Sequence, residues 1–189
     1  MQQTRLTPST LGADIRALRR ARGLTLQQLS ATLDRSVGWL SQVERDLSEP
    51  SLTDLRHLAR ALDVSVAMLS CHHPQTPQEA GRIVRADARR PIGARVPGLV
   101  EELLSPDLTD DFEVVHSTFE ARTALPEPVT RPTQELAFLV SGKMDIEIGE
   151  DRFTIRPGDS FRIRGEPFRW DNPYDKPAVA IWVIAPPVY

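Results

Sequence analysis

The chain has 189 residues, a net charge of −3 and 40% hydrophobic side chains, enough for one or two domains with a packed core and too apolar for disorder. Its longest apolar run, Ala178–Ala185, is strand-sized, and no apolar segment with a cleavage site opens the sequence, so neither a transmembrane helix nor a secretory signal is expected. A single cysteine, Cys71, leaves no intramolecular disulfide and fits a reducing, cytoplasmic setting.

Charge and proline divide the chain. Residues 1–70 carry nine arginines and seven acidic residues, whereas residues 71–189 carry fourteen basic and nineteen acidic ones. Taken whole, the negative charge argues against a nucleic-acid partner, but the first part alone is net positive. Only Pro8 and Pro50 fall in that part, and the stretch Cys71–Pro77 has no periodicity and two prolines, so residues 71–81 read as a linker.

The first predicted helix has Leu11, Ile15 and Leu18 at helical spacing and ends at Gly23. The second opens on Thr25 with Gln28 three residues later, a capping-box pattern, and lines one face with Leu26, Leu29 and Leu33. After Asp34-Arg35, Ser36 caps a third helix reaching Asp46, with Leu40, Val43 and Leu47 predicted inward. Ser51 with Asp54 opens a fourth helix, and Ser65, Val66 and Leu69 mark a fifth. Five short helices over residues 9–70 predict a compact all-α domain.

From residue 82 to 189 the period falls to two. Met144, Ile146 and Ile148 alternate with polar residues, and Phe153 with Ile155, Phe161 with Ile163 and Phe168 with Trp170 continue the alternation. Turn signals at Ser141-Gly142, Gly149–Asp151, Pro157–Asp159 and Asn172-Pro173 separate short strands, the pattern of an all-β sandwich or barrel. The predicted fold class is multidomain, α followed by all-β.

The string Arg19-x-x-Arg22-Gly23-Leu24-Thr25-Leu26-x-x-Leu29-Ser30, with Ser36-Val37-Gly38-Trp39-Leu40-Ser41-Gln42-Val43-Glu44-Arg45 and Pro50-Ser51-Leu52-x-x-Leu55, resembles the phage-repressor (Cro/cI, or XRE) helix-turn-helix family. That resemblance implies a third helix lying in the major groove of double-stranded DNA, which has room for a helix. It places Ser36, Val37, Gly38, Ser41 and Gln42 at base- or backbone-facing positions and Thr25 at a phosphate-contacting cap. It also assigns Arg19 and Glu44 to a buried ion pair. Arg35 and Arg45 join these as candidate DNA contacts, and Arg16, Arg20 and Arg22 are phosphate contacts or solvated face residues. Trp39 either packs against the turn or lies along the DNA backbone.

The second part resembles a cupin, a small jelly-roll barrel, through Glu135–Gly142, Pro157-Gly158-Asp159 and Pro167–Asn172. A repressor-like head followed by a cupin is a bacterial regulator architecture. Metal-dependent cupins use two histidines, a glutamate and a further histidine; these positions carry Val129, Arg131, Glu135 and Phe168 here. Only the glutamate survives, so no metal, no cofactor and no catalytic residue are expected. Arg131 and Glu135 either pair inside the barrel or hold the charged ends of a small effector, with Val129, Phe168 and Trp170 completing a tentative effector pocket. Cys71, His72 and His73 are too close in sequence to share a metal, His116 reads as a packed strand residue, and His57 as surface.

The resemblance implies a cytoplasmic transcriptional regulator, a homodimer on a palindromic operator with a small-molecule effector and no membrane partner. The runs Ala178–Ala185 and Leu99–Leu104 are candidate dimer segments. The alternatives are a cupin enzyme with a repressor-like head, or a ligand-independent, antitoxin-like interaction protein.

Overall fold

The computed structural model describes residues 10–70, 78–79, 81–93, 96–106, 108 and 110–187; the Cys71-His72-His73 triplet lies outside them. The described residues form two compact units: those up to Ile92 together with Pro106 and Leu108, and those from Gly93 to Ser105 together with those from Asp110 onward. Residues 82–92, expected with the barrel, cluster with the helices instead.

The first unit contains α1 (Leu11–Ala21), α2 (Leu26–Thr32), α3 (Val37–Val43), α4 (Leu52–Ala61) and α5 (Val66–Ser70), then a 3-10 turn at Ala86–Ala88 and a two-residue strand β1 (Arg90–Pro91). Thr10, Thr25, Ser36 and Ser51 each cap a helix by accepting a backbone N–H three residues on, the cap chemistry expected of these residue types. Gly23 adopts φ +65° after α1. It turns the chain so that the amides of Gly23 and Leu24 satisfy the carbonyls of Arg20 and Arg19. The core is Ile15, Leu18, Leu29, Leu40, Val43, Leu58, Leu62, Met68 and Leu69, all essentially without solvent contact.

One helix differs from expectation. α3 ends at Val43, not Asp46, and Leu47 is 68% exposed rather than inward. Asp46 takes a left-handed φ of +56°, and the Leu47 amide folds back on the Gln42 carbonyl. The physical reason lies on α1: Asp46 accepts hydrogen bonds from the Gly12 N–H at 2.9 Å and the Thr10 hydroxyl at 2.6 Å. It thereby meets a donor that α1 leaves unsatisfied at its N-terminus. Turning Asp46 toward α1 turns Leu47 toward water.

The second unit is a jelly-roll sandwich of two antiparallel sheets. Its strands are β2 (Leu99–Leu103), β3 (Glu113–Phe119), β4 (Thr123–Ala124), β5 (Gln134–Ser141), β6 (Met144–Ile148), β7 (Asp151–Ile155), β8 (Ser160–Ile163), β9 (Phe168–Asn172) and β10 (Ala178–Ala185). Within this unit the larger sheet runs β2-β3-β10-β5-β8 and the smaller β4-β9-β6-β7. Alternation sends Val115, Phe119, Ala137, Leu139, Met144, Ile146, Trp170 and Trp182 between the sheets. Phe153 departs from the pattern: β7 is an edge strand, and its ring is about half exposed. Gly142 cannot be replaced without rearrangement, because it holds φ +78° and a Cβ there would lie 2.4 Å from the Pro177 carbonyl oxygen. Asn172, fully buried, donates its amide to the carbonyls of Phe119, Glu120 and Lys176 and ties the two sheets together.

Candidate nucleic-acid interface and barrel site

The α2–α3 corner is built locally. α2 is opened by a reciprocal capping box: the Gln28 N–H donates to Thr25 Oγ1 at 3.1 Å, and the Thr25 N–H donates to Gln28 Oε1 at 2.8 Å. Asp34, with φ +51°, reverses the chain, a conformation aspartate tolerates better than most side chains. The Arg35 N–H then returns to the Ser30 carbonyl, and Ser36 Oγ accepts from the Trp39 N–H at 3.1 Å. Leu40 and Val43 anchor α3 in the core.

With that side buried, the opposite side of α3 is presented outward. Ser36, Val37, Gly38, Gln42 and Arg45 are exposed and Ser41 is half-buried, and Thr25 stands exposed at the start of α2. These sequence-derived candidates are therefore all at least partly accessible to solvent. Nothing within 3.8 Å of Gly38 excludes a Cβ, the nearest atom being Ser36 Oγ at 3.9 Å. The fold itself does not require glycine there.

The corner is braced by two ion pairs. Arg19 donates Nε and Nη2 to the Glu44 carboxylate at 2.6 and 2.9 Å and Nη1 to the Leu24 carbonyl at 2.8 Å, with both charged side chains almost wholly buried. The hydrogen bond to Glu44 raises the pKa of this arginine, against the opposing effect of burial. Arg35 donates Nε and Nη2 to Asp54 Oδ1 at 3.0 and 2.7 Å and lies over the Trp39 ring at 5.4 Å. Trp39 is thus half-buried against the turn, one of its two expected placements. Asp54 is held below its ordinary carboxylate pKa by the Ser51 hydroxyl first, with burial opposing and Arg35 assisting.

Of the basic residues, Arg16, Arg20 and Arg45 are exposed. Arg22 is not a free cation: its Nε donates to the Leu62 carbonyl at 3.1 Å and locks the end of α1 to the end of α4. Arg90 was not singled out in the sequence, yet it ion-pairs with Asp14, whose side chain is 3% exposed. Only a contact across 76 positions of chain could reveal it.

Val129 and Phe168 bridge each other through two backbone hydrogen bonds, and the Phe168 ring packs with Phe161 at 6.0 Å and Trp182 at 5.7 Å. Trp170 sits edge-on to Phe119 at 4.8 Å. These rings fill the space between the sheets. Glu135 is buried and accepts the Thr133 hydroxyl at 2.6 Å, whereas Arg131 is largely exposed and approaches the same carboxylate only to 3.8 Å. A metal does not fit this set, since valine and phenylalanine offer no donor and the guanidinium repels a cation. Among the described residues no group of three or more His, Cys, Asp or Glu side chains is placed to hold a metal ion. A cleft, an open space of about 450 Å³, is lined by Pro132, Thr133, Gln134, Arg164, Gly165, Ala185 and Pro186. Thr133 links its wall to Glu135.

The two units match known families in the same order. The helix-turn-helix domain family covers residues 10–70, and the cupin domain family covers residues 115–184. Transcriptional regulator ClgR of Mycobacterium tuberculosis is 31% identical over 104 residues, which span 53% of this chain and 91% of that protein. The immunity repressor protein of Bacillus phage phi105 is 38% identical over 60 residues, 32% of this chain, and the match spans 42% of the repressor. Among solved structures, KdgF from Halomonas sp. shares the fold, with a TM-score of 0.50 at 15% identity over 58% of this chain and 96% of that one. The chain belongs to the XRE-type helix-turn-helix transcriptional regulators and carries a cupin domain after its helices.

Proposed function

We propose that this protein is a cytoplasmic, non-enzymatic transcriptional regulator that reads a palindromic DNA operator as a homodimer. The observation that carries the reading is the outward side of α3, where Val37, Gly38, Ser41, Gln42 and Arg45 surround a helix whose other side is locked into the core. Gln42 pairs with an adenine edge, Ser41 with either base type, Val37 with a thymine methyl, and Thr25, Arg35 and Arg45 serve the phosphate backbone, with Trp39 packed against the turn. One such head buries too little surface for tight specific binding, so two heads read half-sites about one DNA turn apart. No helix of the described residues is long and apolar enough to cross a membrane.

The barrel is the sensor in this proposal. Its effector is a small polar metabolite held at the cleft lined by Thr133, Gln134 and Arg164, with Arg131 adjoining Pro132 in the chain and the buried Glu135 one hydrogen bond behind Thr133. The tightly packed aromatic interior favours a second reading, in which the barrel only joins two heads. Selection of binding sites from random duplex DNA tests the first part: a two-fold symmetric site supports it, and no enrichment refutes it. A thermal-shift screen of metabolites on wild type and Arg131→Ala tests the second. Stabilisation that the variant loses supports sensing, and a response unchanged by the variant removes Arg131 from the site.

A further inference from the structure

The helix-turn-helix family covers residues 10–70, yet the helical unit continues to Ile92, and its last residues are fastened to α1. β1 (Arg90–Pro91) lies beside α5, Ile92 is buried, and the Arg90 guanidinium meets the Asp14 carboxylate with side chains 12% and 3% exposed. A pair so far out of water resists separation more strongly than a surface pair. Asp14 stands on the first turn of α1, and that turn is seated on the end of α3. A Cβ on Gly12 would lie 2.4 Å from the Val43 carbonyl oxygen, so the two backbones lie against each other. The Gly12 N–H and the Thr10 hydroxyl both donate to Asp46, while the Asp46 and Leu47 amides close the end of α3 on the carbonyls of Val43 and Gln42.

We infer, on the DNA-reading surface of α3 proposed above, that Arg90 is a positioning residue for DNA recognition, acting through the first turn of α1 to set the C-terminal end of α3. The path is made of named contacts: Arg90 to Asp14, Asp14 along one turn to Gly12 and Thr10, and these to Asp46. Beside that end stand the exposed Gln42 and Arg45, whose reach to a base edge and a phosphate depends on where α3 stops. Side chains that read a partner work only when held to within about 0.5 Å. Phosphate contacts, by contrast, carry affinity without preference for a sequence. Loss of the Arg90 contact therefore lowers the preference for the operator more than the affinity for DNA in general. Gly93, three residues on, opens the barrel unit. The strand that sets α3 is thus the strand by which the chain leaves for the barrel.

The test measures, for the full chain, affinity for the duplex that wild type selects from random DNA and for a scrambled duplex of the same composition. Arg90→Ala is expected to lower the ratio of the two affinities about tenfold, within the roughly 2- to 30-fold by which residues remote from a ligand change its binding. Binding to the scrambled duplex is retained. A shortage of folded protein would weaken both duplexes equally, so an unchanged ratio overturns the positioning role. Arg90→Lys, which keeps the charge but not the two-pronged fork, is expected to lose part of the ratio and decides the matter in the same way if Arg90→Ala does not fold. Asp46→Ala, at the exposed end of the same path, is expected to lower the ratio by a similar factor, and Arg90→Ala/Asp46→Ala to be no worse than either alone. Losses that multiply in the double variant overturn the path. A wild type that selects no duplex overturns the DNA reading of α3 and this role with it.

Discussion

The Arg19–Glu44 pair offers the sharpest test of how the helical unit is held. Glu44→Gln keeps the side-chain length but removes the charge that two guanidinium N–H groups approach at 2.6 and 2.9 Å. Arg19, whose side chain is 10% exposed, is left with the Leu24 carbonyl and a neutral amide. Breaking a buried pair in this way costs about 3–5 kcal/mol, against about 0–1 kcal/mol for an exposed pair. A domain of this size is stable by roughly 3–9 kcal/mol at typical per-residue values, so the variant spends most of the margin. Urea unfolding followed by helical circular dichroism measures the loss, because the helices lie in the first unit. The double variant Arg19→Met/Glu44→Leu is expected to recover most of it, since an apolar pair leaves no buried charge unmatched. A loss below about 1 kcal/mol in Glu44→Gln, or a double variant as weak as the single one, would refute the reasoning.

Other expectations follow from the same geometry. Gly12→Ala would gain about 1 kcal/mol of helix propensity, yet its Cβ would meet the Val43 carbonyl oxygen at 2.4 Å and Asp46 Oδ1 at 2.8 Å. Overpacking against backbone outweighs the gain, and a net loss of about 1–2 kcal/mol in thermal or urea unfolding is expected. Asp54, with its depressed pKa, contributes stability above its ordinary value of 3.8 that is lost as pH falls through the lower folded value. Asp54→Asn should therefore be less stable than wild type at neutral pH and differ less from it in acid; a gap independent of pH counts against the assignment. Gly38→Ala should leave stability unchanged or slightly raised, because space is open around it, while weakening operator binding if DNA approaches there. Gln42→Ala should lose about 1–3 kcal/mol of preference for one base pair in mobility-shift competition, and equal loss on all sequences would make it a backbone contact instead.

The two-part division, the helix-turn-helix and the strand alternation were legible because caps, glycine turns and periodicity are local. Thr25 with Gln28, Ser51 with Asp54 and Gly23 announce helix ends within a few residues of themselves. The outward set on α3 followed too, since burying Leu40 and Val43 leaves only one side free. The reading failed where a residue serves a distant partner. Leu47 fits helical spacing, but Asp46 is required 34 positions away at Gly12, and the backbone reversal that allows this exposes the leucine. For Arg22 the sequence left a phosphate contact and a solvated face open, and it offered no sign of the Leu62 carbonyl that α4 brings to it. In the barrel, motif spacing grouped Val129, Arg131, Glu135, Phe168 and Trp170. In the structure Val129 pairs with Phe168, large rings fill the space between the sheets, and Arg131 reaches solvent 3.8 Å from the buried Glu135.

What the sequence by itself determined is the period and the punctuation: 3.6 then 2, capped and turned by residues that act on their immediate neighbours. Which faces remain uncovered is a property of the assembled sheets, not of any strand. Leu136, Phe138 and Val140 alternate like ordinary strand residues, and only the register of β5 against β10 and β8 shows that they look away from the core. Hydrophobic alternation marks two faces of a strand, and only tertiary pairing decides which of them meets water.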